Sequence, residues 1–182
     1  EVDEVLQNGE HPQDHVTRLA RTKAEMVAAR YPDLWVLGAD TIVVVEGSIL
    51  GKPENRDAAR SMLQTLSGKT HDVFTGYALI RSRSAGRERM RWARSRVDIR
   101  DLSSDEIEGY LDTGEPMGKA GAYAIQGIGA GIVERIVGSY TNVVGLPLCE
   151  VAKDLKEFIR VVEQRDPRAA DGLPRHRPPV GP

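Results

Sequence analysis

A carboxylate within an apolar segment is the feature of the sequence best suited to chemistry. Asp40 lies in Gly38–Val45, where every other residue except Thr41 is small or apolar. Burying an unpaired carboxylate costs several kcal/mol, so Asp40 is expected to be paired, to bind a metal or to take part in catalysis. Lys52 follows beyond a turn, in Gly-Lys-Pro. A lysine at this position can bind an anion, but Gly-Lys-Pro is also typical of a plain turn.

Two further polar residues interrupt apolar patterns elsewhere in the chain. Lys23 stands between Leu19 and Val27 at four-residue steps, within the apolar stripe of a predicted helix. A lysine there either extends to water or points at an anion. Gln126 ends a run of small and apolar residues. Taken together, Asp40, Lys23, Lys52 and Gln126 predict a site for a phosphorylated ligand, with Asp40 at its centre.

The elements that would position these residues alternate between helix and strand. Hydrophobic spacing predicts helices over residues 13–30 and 57–66, and strands over residues 35–37, 41–45, 73–80 and 89–99, the last two forming a hairpin. Ser103 and Glu106 match a capping box that begins a helix ending at Asp112. Short strands are expected near residues 122–125, 132–137 and 142–144, and a last helix from Pro147 to about residue 164. This order favours an α/β fold with a mixed, twisted sheet and flanking helices.

Composition limits the domain organisation and the classes of partner. The 182 residues suit one domain, residues 1–164, followed by a Pro- and Arg-rich tail, residues 165–182, that is expected to be disordered. The net charge of -2 gives no general attraction to nucleic acid or to an anionic membrane, so neither is expected as a partner. Cys149 is the only cysteine, which excludes a disulfide framework. The composition predicts a cytoplasmic enzyme or binding protein.

Six segments, in consistent order and spacing from Glu1 to about Phe158, resemble the Maf family of nucleoside triphosphate pyrophosphatases. They are Arg18–Ala24, Gly38–Thr41, Gly51–Pro53, Leu66–His71, Gly121–Gly127 and Asn142–Leu148. The resemblance implies two lobes around a cleft, as in the inosine-triphosphate pyrophosphatases. It also implies hydrolysis of a nucleoside triphosphate to the monophosphate and pyrophosphate, with Mg²⁺ or Mn²⁺ as cofactor.

The resemblance assigns roles to four charged residues. Asp40 matches the catalytic aspartate of the family, which accepts a proton. Glu4 matches a carboxylate that helps to hold the metal, together with Asp40. Lys23 and Lys52 match two phosphate-binding lysines. These types suit the chemistry, because cations neutralise the charge that develops when water attacks a triphosphate.

Two further residues match positions that select the base. Thr41 in Ala-Asp-Thr and Gln126 in Ala-Ile-Gln resemble the branch of the family that acts on dTTP and UTP. A glutamine amide has both a donor and an acceptor and can hydrogen-bond the edge of a pyrimidine. The expected function is house-cleaning of nucleotide pools, with modified pyrimidine nucleotides as open further substrates.

One expected motif of the family lies outside this sequence. Maf proteins begin with a strand and a Ser-x-Ser-x-Arg-Arg loop that holds the phosphates, and this chain starts after that point. We therefore expect either a fragment or a misassigned start of translation. An alternative function is a nucleotide-binding regulator of septum formation with little or no turnover. A homodimer is one candidate assembly, and the oligomeric state stays open.

Overall fold

The computed structural model describes Val2, residues 4–81 and residues 88–165, and the strands among them form one five-stranded sheet. The order across the sheet is β2-β1-β3-β4-β5, and each neighbouring pair is antiparallel. The strands are β1 (Val36–Val45), β2 (Ser48–Leu50), β3 (Thr70–Ile80), β4 (Glu88–Ile99) and β5 (Val133–Val137). Asp40 lies opposite Gly76, and Thr41 lies opposite Thr75.

Helices flank and follow the strands. They are α1 (Pro12–Ala28), α2 (Arg56–Leu66), α3 (Ser104–Asp112), α4 (Tyr140–Val144) and α5 (Leu148–Arg165), with short 3₁₀ segments at Ala120–Ala122 and Gly127–Ile132. Local signals explain their beginnings: the Asn55 side chain caps α2, and the capping box of Ser103 and Glu106 begins α3. None of the described helices has the length and apolar character needed to cross a bilayer.

Helix α1 packs on one face of the sheet at unusually short range because two glycines lie beneath it. A Cβ on Gly38 would lie 2.4 Å from the Ala20 carbonyl oxygen, and one on Gly76 would lie 2.4 Å from the backbone of Val16. Side chains at both positions would therefore push the helix away from the sheet. The small buried residues Ala20 and Ala24 complete this close packing.

The opposite face of the sheet carries the largest apolar cluster. Strand residues such as Val43, Val73 and Val97 pack there against Leu63 of α2 and Leu111 of α3. Alternation along β1 therefore separates its neighbours: Gly38 and Asp40 face α1, whereas Thr41 and Val43 face the larger cluster.

The predicted α/β class with flanking helices is confirmed, as are the helices near residues 13–30 and 57–66, the capping box and the antiparallel pairing of residues 73–80 with 89–99. The two strand segments expected at residues 35–45 form one strand, β1. The sheet expected to be mixed has only antiparallel pairs among the described strands, because each neighbouring pair runs in opposite directions. Two strand predictions are also wrong. The strand expected near residues 122–125 is absent, because the chain there leaves a 3₁₀ turn and pairs with no strand of the described sheet. The strand expected at residues 142–144 is part of helix α4, which the Ser139 side chain caps.

The chain divides into two compact units, Glu1–Leu148 and Cys149–Pro182. The first unit contains the sheet and α1 to α4, and the described part of the second is helical. The final helix expected to follow Pro147 is confirmed as α5. Of the tail expected at residues 165–182, only Arg165 is among the described residues, and it ends that helix. The domain boundary and the disordered tail stay predictions.

Candidate active site

Strand β1 and helix α1 bring two of the predicted residues into direct contact. The Lys23 Nζ atom donates a hydrogen bond to Asp40 Oδ1 at 2.5 Å. Asp40 has room for this contact because its cross-strand neighbour, Gly76, has no side chain. Lys23 directly precedes Ala24 and lies about one turn after Ala20, so the close packing of α1 on Gly38 fixes the height of the lysine above the strand.

Glu4 reaches the same ammonium group from the other side. Its Oε1 atom lies 2.6 Å from Lys23 Nζ, so the lysine is held between two carboxylates. The Asp40 side chain is only 9% exposed, whereas that of Glu4 is 47% exposed. Asp40 is thus the buried member of the cluster, and Glu4 is the member open to solvent.

The segment that carries Glu4 has neither helix nor strand and is tied to α1 through Glu10. The Glu10 carboxylate accepts hydrogen bonds from the Gln7 backbone N–H at 3.1 Å and from Arg18 Nε at 2.7 Å. Arg18 also donates to the Val5 carbonyl oxygen at 3.2 Å. These contacts, rather than a regular element, position Glu4 beside Lys23.

The pKa values of the three residues in this cluster are shifted in directions that suit catalysis. Burial raises the pKa of Asp40 above its ordinary value, although the hydrogen bond from Lys23 opposes the shift. Burial lowers the pKa of Lys23, but hydrogen bonds to Asp40 and Glu4 outweigh it and the net shift is upward. The hydrogen bond from Lys23 lowers the pKa of Glu4. At neutral pH the lysine is therefore charged, and Asp40 is a stronger base than an exposed aspartate.

A pocket of about 280 Å³ opens beside this cluster. Five of the six predicted site residues line it: Lys23, Asp40, Thr41, Lys52 and Gln126. The sixth, Glu4, lies at the cluster through its ion pair with Lys23. The pocket therefore brings together residues from α1, from β1, from the turn after β2 and from the loop that precedes β5.

The loop with Gln126 is joined to the loop with Lys52. The Gly121 backbone N–H donates to the Gly51 carbonyl oxygen at 3.0 Å. Gly121 has φ +69°, and a Cβ there would meet the Val43 side chain at 3.1 Å, so a glycine is required. The loops that carry Lys52 and Gln126 are thus held together beside the pocket by a backbone hydrogen bond as well as by side-chain contacts.

Thr41 lines the pocket, but its hydroxyl is already engaged. Its Oγ1 atom lies 2.8 Å from Thr75 Oγ1 and 3.4 Å from the Gly145 carbonyl oxygen. Thr75 in turn donates to the Asn142 carbonyl oxygen, and Asn142 Nδ2 donates to Ser95 Oγ at 3.0 Å. Thr41 therefore joins the pocket to a neutral, buried network beneath it.

Sequence reasoning missed several pocket residues. Lys119 adds a third lysine, and Tyr123 and the segment from Val143 to Gly145 complete the lining. Lys119 begins the run that ends at Gln126, so its charge was a usable signal. Tyr123 and the α4 segment gave none, because their place in the pocket depends on long-range packing.

A buried histidine supports Tyr123 from behind. His71 Nε2 and the Tyr123 hydroxyl lie 2.8 Å apart, and His71 is 2% exposed. Burial lowers the pKa of His71 to about 4, so this histidine is neutral at physiological pH. His71 belongs to the structure of the pocket wall rather than to its charged part.

The donor set suits a divalent cation that is shared with a substrate. Asp40 and Glu4 each contact Lys23 Nζ through one carboxylate oxygen, at 2.5 and 2.6 Å, so the second oxygen of each can serve as a metal ligand. Mg²⁺ commonly binds through one or two carboxylates together with substrate phosphates. Within the described residues there is no group of three or more His, Cys, Asp or Glu side chains that could hold a metal. The carboxylate pair therefore fits a substrate-linked ion better than a closed structural site.

Fold and pocket together define an α/β protein with a lysine-rich, carboxylate-centred pocket, which is the arrangement expected of a protein that acts on phosphate anhydrides. The chain belongs to the Maf family, because the family model described as Maf-like protein matches residues 1–158. The resemblance seen in the sequence is thereby confirmed.

Curated relatives cover most of the chain. A protein of Syntrophus aciditrophicus named dTTP/UTP pyrophosphatase is 51% identical over 157 residues, which are 86% of this chain and 76% of the relative. Relatives with the same name are 53% identical in Geobacter sulfurreducens, over 82% of this chain and 78% of the relative, and 51% identical in Myxococcus xanthus, over 82% and 74%.

Proposed function

We propose that the protein hydrolyses dTTP and UTP to the monophosphate and pyrophosphate. The observation that carries the proposal is the Glu4–Lys23–Asp40 cluster, which stands beside a pocket that Lys52 and Gln126 also line. A nucleoside triphosphate has an anionic end that suits the lysines and a base that suits the amide. Relatives about half identical to the chain carry the name of this activity.

In this proposal Asp40 accepts a proton from the attacking water. Its burial supports the role, because a raised pKa makes the carboxylate a better base, while the ion pair with Lys23 favours its charged form. The charged Lys23 both orients Asp40 and neutralises phosphate charge. Lys52 binds the phosphates from the opposite loop, and Lys119 adds positive charge on the same side.

Asp40 and Glu4 would hold the divalent cation, Mg²⁺ or Mn²⁺, that this chemistry needs. Such an ion, when bound, polarises phosphoryl oxygens and lowers the pKa of water. The chain's own part is to supply one buried and one exposed carboxylate at a single position, and to hold the exposed one there through Glu10 and Arg18.

Base selection is assigned to the far end of the pocket. Gln126 is exposed at the pocket and can hydrogen-bond a pyrimidine edge. Thr41 acts indirectly, because its hydroxyl bonds to Thr75 and it shapes the pocket floor. A site built on such hydrogen bonds rejects bases that leave its polar groups unpaired. Action on modified pyrimidines, a house-cleaning role in the cytoplasm and a homodimer are further parts of the prediction.

The test measures pyrophosphate release by the full-length protein with Mg²⁺ or Mn²⁺ and each nucleoside triphosphate. We expect dTTP and UTP to be preferred over CTP, ATP and GTP. Asp40→Asn should lower kcat by about 10²–10⁴-fold, the usual contribution of a general base. Asp14→Asn is the matched control, because Asp14 is exposed in the first turn of α1.

Release that survives Asp40→Asn at the wild-type rate would overturn the catalytic assignment. Binding of dTTP without any release would overturn the hydrolase and favour the alternative, a nucleotide-binding regulator of septum formation. Removal of divalent ions by EDTA should abolish release, and restoring Mg²⁺ should recover it.

A further inference from the structure

The backbone on both sides of Gln126 is tied to one pair of side chains. The Tyr110 hydroxyl accepts a hydrogen bond from the Ala124 N–H at 3.1 Å and donates to Glu115 Oε1 at 2.9 Å. Glu115 accepts from the Ile128 N–H at 2.9 Å and from the Gly129 N–H at 2.8 Å. The backbone thus bonds to this pair at Ala124, two residues before Gln126, and again at Ile128, two residues after it.

No regular element performs this task. Tyr123–Gln126 lies between two 3₁₀ segments and pairs with no strand of the described sheet. Gln126 is exposed, so packing of its own side chain holds it little. Its position at the pocket therefore depends on how the flanking backbone is anchored.

The loop closes tightly around the Glu115 carboxylate. A Cβ on Gly127 would lie 2.4 Å from Glu115 Oε2, and one on Gly129 would lie 2.4 Å from the Tyr110 hydroxyl. Gly127 also has φ +75°. The two glycines closely follow the glutamine, and each leaves space that one member of the pair fills. The loop and the pair are therefore complementary in shape as well as in hydrogen bonding.

The protonation states fit this arrangement. Burial raises the pKa of Glu115, but the Gly129 and Ile128 N–H groups outweigh it and the net shift is downward. Burial raises the pKa of Tyr110, so its hydroxyl keeps the proton that it donates. A charged acceptor for two N–H groups forms stronger hydrogen bonds than a neutral one.

We propose that Tyr110 and Glu115 are positioning residues for base selection, which act by holding Gln126 in place to contact the pyrimidine. The inference rests on the proposed function, since it assigns Gln126 to the base. Neither residue is placed on the substrate itself. A purely structural role for the pair would change stability without changing the choice between bases, and this difference makes the inference testable.

The test compares kcat/KM for dTTP and CTP, whose bases present opposite donors and acceptors at ring positions 3 and 4. In Glu115→Gln one N–H loses its acceptor, and we expect the preference for dTTP to fall roughly tenfold, most of it in KM. Gln126→Ala should lose the same preference. In the double variant, Glu115→Gln should add no further loss of preference, because the two residues act in series.

Two further variants keep the test decisive. Tyr110→Phe removes one hydroxyl and keeps the ring, so it serves where Glu115→Gln fails to fold. Glu108→Gln is the matched control, because Glu108 pairs with Arg56 and Arg60 on the α2–α3 surface and should leave base preference unchanged.

The inference is overturned if folded Glu115→Gln and Tyr110→Phe keep the wild-type preference for dTTP. It is also overturned if either substitution lowers this preference further in a protein that already carries Gln126→Ala. A wild-type protein that binds or hydrolyses all bases equally also overturns it. Failure of the proposed hydrolase looks different, since pyrophosphate release is then absent from the wild type. The same comparison of dTTP with CTP is then made by calorimetric binding, which tests the positioning role on its own.

Discussion

Two neighbouring polar residues of β1 lie on opposite faces of the strand and in different environments. Asp40 faces α1, where it is charged, paired with Lys23 and open to a second carboxylate. Thr41 faces the larger apolar cluster, where its neutral hydroxyl joins Thr75 and Gly145. Both residues line one pocket, yet only the α1 face carries the charged cluster.

The difference indicates how one strand can serve both catalysis and stability. Charged groups are costly to bury, so they lie where the pocket lets solvent or a ligand compensate them. Neutral groups form hydrogen bonds within the interior, as Thr75 does to the Asn142 carbonyl oxygen and Asn142 Nδ2 does to Ser95. We therefore expect substitutions of the charged residues on the α1 face to reduce activity more than stability, and substitutions of the hydroxyl and amide groups on the other face to do the reverse.

Among the substitutions that compare the two faces, Lys23→Met on the α1 face is expected to have the largest effect. The change removes the cation that pairs with Asp40 and Glu4, and with it the charge that stabilises the transition state. We expect kcat/KM to fall by about 10²–10³-fold. Pyrophosphate release and thermal unfolding, measured on the same samples, separate activity from stability. Wild-type activity in this variant would contradict the assignment of function to this face.

Gly76→Ala tests whether the position of α1 matters to the site. The new Cβ would overlap the Val16 backbone, so the helix must move, and we expect a loss of about 1–3 kcal/mol in the free energy of unfolding. Activity should fall as well, because α1 carries Lys23.

Gly109→Ala is the control for this change. Gly109 lies inside α3 with open space around it, and the substitution should stabilise the protein by about 0.5–1 kcal/mol. Urea unfolding measures both variants. Equal stability of the two would contradict the close packing of α1 on the sheet.

Thr75→Val tests the opposite face with a substitution of similar shape. Thr41 Oγ1 and the Asn142 carbonyl oxygen each lose a hydrogen-bond partner, and we expect a loss of about 1–2 kcal/mol in the free energy of unfolding. The kcat of the folded variant should change little. A loss of activity as large as that of Lys23→Met, without a loss of stability, would remove the distinction between the faces.

The prediction with the smallest effect near neutral pH is a dependence of stability on pH that comes from His71, on the same face as Thr75. Its pKa in the folded protein is about 4, below its ordinary value of 6.5, so between these values the unfolded chain binds the proton first. The contribution of this residue to the free energy of unfolding is fully present above pH 6.5. It declines as the pH falls toward 4, by up to about 1.4 kcal/mol per pH unit.

His71→Gln should remove this part of the slope. Urea unfolding of the two proteins at several pH values between 7 and 4 measures it, and identical slopes would show that His71 is not buried in its neutral form.

Local signals in the sequence predicted much of the fold. The spacing of apolar residues gave α1 and α2, and the Ser103–Glu106 capping box gave the start of α3. The failures occurred where tertiary contacts override local preference. Val143 and Val144 favour a strand, but the Ser139 cap and the buried hydrogen bonds of Asn142 hold them in helix α4.

The residues of the candidate site could be predicted from the sequence, but the residues that hold them in position could not. Asp40 and Lys23 stood out because each interrupts an apolar pattern, and the structure joins them at 2.5 Å. Glu115 and Tyr110 interrupt no pattern, since a glutamate near a helix end and a tyrosine within it are ordinary. Their link to Gln126 depends on a loop that returns to the same carboxylate, and spacing along the chain carries no information about that.

The pairing of Asp40 with Gly76 has a consequence for how the sheet assembles. A shift of β1 by one residue against β3 would exchange its faces and bring the carboxylate into the apolar cluster, at a cost of several kcal/mol. The same shift would place Thr41 beneath α1, away from the hydroxyl of Thr75. A misaligned pairing of β1 with β3 is therefore destabilised by the very residue proposed for catalysis, so the reactive group also favours the correct alignment of these strands.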